Sequence, residues 1–587
     1  MKTLYIVGYN EDNLKIYKSA SEDEAYILAD LSKDDEAALY KEGIRFISAA
    51  RPEYVIADAL TKEDGCISVI INTKSSDKNC EIAKSICAEV RKITDSFPDK
   101  DRVGLVTKLV TRFKAFVFGD AECTEELIGY ENESLGTIRC VNPEERIALD
   151  FIDRYPIAKF IPRDKILPDT TVSPSLNINV FLLGFDVLGA RLLSASVANN
   201  QFLTRIDGGL AAKQVKYTVF DHGISNEIKD TLPMFRYERE LVRFDKNGGI
   251  KQSSRHLPLP PCPAIVDFVD DDCSNNPIEM AREICKRENE LLFVIINHPN
   301  SFTGLRTYRA ICNIINEVHP SSDIFLFLRE HRDGSAEKFP LAYSYGESTL
   351  LGTAEGICSD RTFAMALERN RIYTLESEYL VDIADGHFDG SFDDIIDAAD
   401  YKWYAKRTHS DRESNIYAVL SIRSKLNLLG LDYEAEPEAP INAEIYDAVY
   451  TKGEIKYIDG LDIRGRKIPA ALTYTFTDTT RGVLAHQEHL RWNSFMICGG
   501  FIPATIRNIL KEKNKDGAYT NGKNTKKRLH GNITTEAGLI EYRRIVAGRD
   551  KCDELSRDVI CYDYQLMDDA VWLILSGGYK LKRLKED

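Results

Sequence analysis

Gly184-Phe185-Asp186-Val187-Leu188-Gly189 follows the apolar run Val180-Phe181-Leu182-Leu183 and opens a helical pattern. That is the position of a Gly-x-Gly-x-x-Gly dinucleotide turn, where a helix N-terminus receives a pyrophosphate and an acid on the next strand holds the ribose. Asp221 supplies such an acid 37 residues after Gly184. The usual separation is ~20, and residues 201–214 are read as an enlarged loop that takes up the excess. Gly184, Gly189 and Asp221 are the candidate cofactor-binding residues. Asp186 stands where the middle glycine should be, so a carboxylate meets the phosphate approach. Like charges about 4 Å apart repel by several kcal/mol at intermediate dielectric. Conventional NAD binding is therefore not expected, and the cofactor is left unassigned. The matching turn near the N-terminus, Gly8-Tyr9-Asn10-Glu11-Asp12-Asn13, keeps only the first glycine and adds two acids.

A second concentration of chemistry is His486-Gln487-Glu488-His489-Leu490-Arg491-Trp492-Asn493. Written as a helix, it puts Ala485, His489, Trp492, Met496 and Gly499 on one stripe. Glu488 and Arg491 fall at i,i+3, the spacing of an ion pair. No third ligand accompanies His486 and His489, so a metal is not assigned, and a buried His489 packed on Trp492 is the plainer reading. Residues 511–530 carry seven basic and two acidic side chains, the composition of a long exposed loop. His489, Arg491 and Trp492 with Lys526, Lys527 and Arg528 form a candidate ligand-binding set, the basic members receiving a phosphate. Asp411-Arg412-Glu413-Ser414-Asn415 reads either as a polar helix start or as an interdomain, ligand-facing contact. No Gly-x-Ser-x-Gly, Walker A or His-Glu-x-x-His sequence is present, and no catalytic residue is assigned.

The elements that must position these residues alternate strand and helix. Short β-branched runs at residues 4–7, 67–71, 103–106 and 116–118 are separated by helical patterns, including one over 77–94 and one over 144–154. From residue 177 the pattern repeats, with strands near 180–183, 217–221, 265–269, 292–296 and 324–328. Continuous apolar runs joined by helices predict parallel sheets buried on both faces. The fold class is therefore α/β, with two tandem Rossmann-like, doubly wound parallel sheets followed by a mainly helical domain. The expected boundaries are 1–170, 171–358, a helical connector over 359–440 that ends in an acidic linker at 434–440, and 441–587. The 587 residues hold 92 acidic against 76 basic side chains, which argues against general nucleic-acid binding and against adsorption on anionic membranes. Thirteen scattered cysteines without a Cys-x-x-Cys pair fit a reducing, cytoplasmic setting. Neither a secretory leader nor a membrane span is read.

Leu484-Ala485, Glu488-His489-x-Arg491-Trp492-Asn493 and Gly499-Gly500-Phe501 resemble the bacterial form of the ryanodine-receptor (RyR) repeat domain. His530 to Thr535, the 539–542 helix and Gly577-Gly578-Tyr579 extend the likeness over residues 440–585, and Phe501 stands where the family usually has Trp. The central region is similar to TrkA-N (RCK-type) Rossmann domains through residues 184–189, Phe220-Asp221, 323–329, 412–415 and 425–430. The resemblance implies a cytoplasmic regulator that senses a nucleotide-like ligand, in stress, antiviral defence or ion-transport control. It also implies a homodimer or small oligomer with interfaces in residues 1–430. Two other readings stay open. One is a nucleotide-processing enzyme around Asn297, His298, Arg329 and Glu413. The other is an assembly scaffold without a small ligand.

Overall fold

The computed structural model describes the chain apart from residues 1, 21–23, 63–64, 96–111, 121, 124–125, 128–136, 244–249, 272–274, 331–342, 347–349, 360, 380–386, 388, 406, 408, 452–456, 462–466, 470–475, 512–521, 548–558 and 586–587. The strand expected over 103–106 and half of the basic loop lie outside the described residues.

The first sheet holds β1 (Lys2–Val7), β2 (Glu24–Ala29), β3 (Phe46–Ser48), β4 (Cys66–Ile71), β5 (Phe113–Phe118) and β6 (Thr137–Val141) in the order β3-β2-β1-β4-β5-β6. The second unit contributes β7 (Asn177–Leu183), a hairpin of β8 (Phe202–Ile206) and β9 (Gly209–Lys213), then β10 (Lys216–Asp221), β11 (Ile265–Asp270), β12 (Glu290–Ile296), β13 (Asp323–Glu330) and β14 (Tyr343–Gly346). Its sheet runs β11-β10-β7-β12-β13-β14, and every neighbouring pair in both sheets is parallel. Each unit is thus a doubly wound sheet in Rossmann strand order, with its crevice between the first and fourth strands. Ile178 to Leu183 and Leu291 to Ile296 are buried without a break, as central parallel strands covered on both faces must be.

Two elements of the second unit differ from the sequence expectation. A sixth strand, β14, completes the sheet. The enlarged loop at 201–214 is an antiparallel hairpin turned by Asp207 and Gly208, which both have positive φ. Asp-Gly between strand-like runs is the signal of a two-residue turn of this kind. The hairpin buries Leu203 against Val483 and Leu490, so the insertion docks the C-terminal region onto the second unit.

That region is mainly helical, built on Thr480–Cys498, Glu536–Ala547, Val559–Asp568 and Ala570–Ser576. The Thr480–Cys498 helix is buried on all sides, as befits a central helix. The strand Leu431–Glu434 pairs antiparallel with Lys580–Arg583, and Pro440 bridges to Lys582. The acidic stretch expected as a linker therefore starts on a paired strand and is stitched to the end of the chain. One apolar core runs from Ile6 and Ile147 through Leu182 and Phe327 to Leu426, Leu484 and Leu581. Among the described residues no helix is long and apolar enough to cross a membrane.

Candidate ligand site

The turn of the second unit holds an anion of its own. Gly184 has φ +98°, and a β-carbon there would lie 2.9 Å from the Asn297 carbonyl oxygen, so glycine is required. Asp186 caps the Val187–Asn199 helix, and its Oδ1 accepts from the Gly189 amide at 2.8 Å and from Asn297 Nδ2 at 2.7 Å. Arg329, at the end of β13, donates to Asp186 Oδ2 at 2.7 Å. Burial by itself would raise the Asp186 pKa, but the bonds from Gly189, Arg329 and Asn297 outweigh it and hold the carboxyl below its ordinary value. Asp221 accepts from the Phe185 amide at 2.7 Å, and so braces the turn. The side chains that would meet a pyrophosphate and a ribose are thus each engaged by groups of the protein itself. The first unit repeats the device: Asn10 caps the Glu11–Ser19 helix, and Asn13 Nδ2 donates to the carbonyls of Val7, Gly8 and Asn72.

A calorimetric titration with NADH is accordingly expected to give no heat at low micromolar concentration, and a sub-micromolar constant would contradict this reading of the turn. Asp186→Gly should lose the helix cap, at roughly 1 kcal/mol, while improving whatever NADH binding exists.

The C-terminal candidates separate into an interior set and a surface set. His489 and Arg491 are buried, at 2% and 1% exposure. Glu488 accepts from Arg491 Nε and Nη2, both at 2.8 Å, and from Lys425 Nζ at 2.8 Å. The i,i+3 pair is thus part of a buried cluster that also ties in the His409–Leu428 helix. His489 Nε2 donates to the Thr534 carbonyl at 2.8 Å, and Nδ1 lies 3.2 Å from Asp563. With both nitrogens committed, His489 has none to offer a metal. Trp492 stacks on His489 and meets His530 edge-on. Lys526, Lys527 and Arg528 are exposed. Lys526 and Lys527 line a surface groove with Arg236, His256 and Thr505, while Arg491 stays inside with Glu488.

Three of these histidines set a pH dependence. Burial depresses the His486 pKa to about 4, helped by His489, and that of His530 to about 3, helped by Lys523. Burial opposes charge on His489 as well, yet Asp563 and the Thr534 carbonyl raise its pKa. Below pH 6.5 the unfolded chain protonates His486 and His530 while the folded chain does not, so stability falls as pH drops towards their folded values. His489 has the opposite sign, giving stability that is lost as pH rises. Below pH 6.5 both states of His489 are protonated, so its contribution no longer changes there and the two depressed groups set the slope. The unfolding free energy from urea titrations should therefore fall between pH 6.5 and pH 4.5 by up to about 1.4 kcal/mol per pH unit for each of His486 and His530.

A 550 Å³ cavity lies where the first unit, the connector and the C-terminal region meet, within the range of small-molecule sites. The Pro143–Arg154 helix forms one wall. Its start is fixed by the Asn142 cap, Pro143 at the first turn, and Glu144 and Glu145 at the positive end of the dipole. Arg146, on that helix, donates to the carbonyls of Gly356, Ile357 and Ser359 at 2.6, 2.9 and 3.3 Å, and so fixes the opposite wall. Arg139 lies 3.5 Å over the Phe363 ring and Arg361 lies 5.2 Å over Tyr579. Arg412 and Glu413, from the His409–Leu428 helix, complete the lining with Glu145 and Phe116. Asp411, one residue earlier, pairs with Lys523 at 2.7 Å. The Asp411–Asn415 segment is thus an interdomain contact on a cavity wall as well as part of a helix start. Of the residues grouped in the enzyme reading, Asn297 and Arg329 join Asp186, His298 bonds Thr307, and Glu413 lines this separate cavity.

The cavity combines guanidinium groups, which bind phosphate through paired donors, with aromatic rings and carboxylates suited to a flat, amine-bearing group. Arg139, Arg146 and Arg361 carry no sequence signal, because they converge from a strand, a helix and a connector far apart in the chain. No protein-family model matches the chain, and no curated protein matches it. Among the described residues no group of three or more His, Cys, Asp or Glu side chains could hold a metal ion.

Proposed function

We propose that the protein is a cytoplasmic, nucleotide-sensing regulator whose ligand occupies the arginine-lined cavity between the first unit and the connector. In this reading residues 171–358 are a TrkA-N-like unit whose dinucleotide turn serves as a joint, and residues 441–587 are an RyR-type module. The carrying observation is the convergence of Arg139, Arg146, Arg361 and Arg412 with Phe116, Phe363 and Tyr579 on one 550 Å³ space. The Asp186–Arg329 pair supports it by filling the alternative anion position. A ligand that bridges these walls changes how the units pack, and such a difference in packing is what a sensor transmits. The chain acts as a homodimer or small oligomer in this proposal, and the cavity performs no catalysis.

Mass spectrometry of small molecules released from the native full-length protein tests the proposal. A phosphorylated compound with an aromatic base is the expected finding. Release of no such compound, together with no calorimetric heat from ATP, ADP or AMP at millimolar concentration, would reject it.

A further inference from the structure

Three thiols converge beside the cavity. Cys80 lies on the Ser76–Asp95 helix, Cys123 follows β5, and Cys140 is on β6. Cys123 and Cys140 meet at Gly119, directly after β5. A β-carbon there would overlap the Cys123 sulfur and lie 3.2 Å from the Cys140 sulfur. Glycine therefore leaves the two sulfurs flanking the one position that a side chain at 119 would take. The Cys123 amide is held by Asp120 Oδ1 at 2.9 Å, which fixes the turn that presents this thiol.

The three thiols are not equivalent. Cys80 donates to Glu126 Oε2 at 3.3 Å; burial first, and that bond second, push its pKa up. Cys123 is drawn the other way, chiefly by the hydrogen bond from Cys140, with Ser76 and Cys80 adding to it against the effect of burial. A thiolate is the reactive form of cysteine, so Cys123 is the nucleophile of the group. Cys140 is half-buried and lines the cavity, which gives a small oxidant a route in.

We propose that Cys123 and Cys140 form a reversible disulfide with hydrogen peroxide as the oxidant. The Cys123 thiolate attacks one peroxide oxygen. An S–O bond forms, the O–O bond breaks, and the departing hydroxide takes a proton to become water. Cys140 then loses its proton and attacks the sulfenic sulfur, displacing the second hydroxide as a second water. Two thiols lose two electrons in all, and peroxide gains them. The sulfurs must close to about 2 Å, starting from positions on either side of the point a Gly119 β-carbon would occupy. The bond would tie the turn after β5 to the strand that carries Arg139. Its formation does not depend on what the cavity binds.

Trypsin cuts after Arg139, so the two cysteines fall on separate peptides. Full-length protein is treated with hydrogen peroxide, its remaining thiols are alkylated under denaturing conditions, and the digest is read by mass spectrometry without reduction. The expected result is a Cys123–Cys140 linked pair, lighter than the two peptides by two hydrogens and separated by dithiothreitol. It should persist in Cys80→Ser and disappear in Cys140→Ser, a half-buried substitution that keeps the fold. Both peptides fully alkylated after peroxide, a Cys80–Cys123 link in their place, or sulfinic acid at Cys123 without a link would each overturn the proposal.

Discussion

Glu488→Gln is expected to destabilise the protein by about 3–5 kcal/mol, the range for breaking a buried ion pair from one side. Among the described residues Glu488 is the carboxylate in direct contact with both Lys425 and Arg491, and each of these cations is 1% exposed. Burial would raise its pKa, but Arg491 and then Lys425 pull it down to about 2. Neutralising it leaves two buried cations facing each other. Lys425→Met makes the contrasting case, because it leaves the bidentate Glu488–Arg491 pair intact and balanced. It should cost clearly less than Glu488→Gln. Urea denaturation at pH 7 measures both, and equal losses would mean that the cluster acts by packing and not by charge. Lys425 belongs to the helix that also carries Arg412 and Glu413, so the cluster joins a cavity wall rigidly to the C-terminal core.

Arg361→Glu is expected to weaken ATP binding by at least about 100-fold. At about 6 Å and an effective dielectric near 20, one unit charge against another is worth roughly 3 kcal/mol, which is about two decades in affinity. The protein's own stability should change by only about 1 kcal/mol, because Arg361 gives up little besides its stacking over Tyr579. Calorimetry with the variant, paired with its melting temperature, separates loss of a contact from loss of the fold. Unchanged affinity would place the phosphate elsewhere.

The tandem parallel sheets were legible because a strand buried on both faces must be apolar throughout, and Val180 to Leu183 and Leu292 to Ile296 are. The short edge strand β14 was not, since Tyr343-Ser-Tyr-Gly346 has neither length nor alternation to mark it. The hairpin at 202–213 was within reach, because Asp207-Gly208 is a recognisable turn. Asp186 was read for its charge, but its partner Arg329 lies 143 residues away, a separation that no local pattern encodes. Arg491 illustrates the opposite problem. Its spacing to Glu488 was plain, yet an i,i+3 pair looks the same on a surface as in a core, and Lys425 from another helix is what completes the buried cluster.

Hydrogen–deuterium exchange of the full-length chain, with and without ATP, tests most directly where a nucleotide binds. Occupancy of the cavity predicts slowed exchange over residues 139–153, 353–359 and 412–420, with residues 184–189 and 221–223 unchanged. Slowed exchange at 184–189 and 221–223 alone, or no change at the cavity with ATP, ADP or AMP at millimolar concentration, would contradict it.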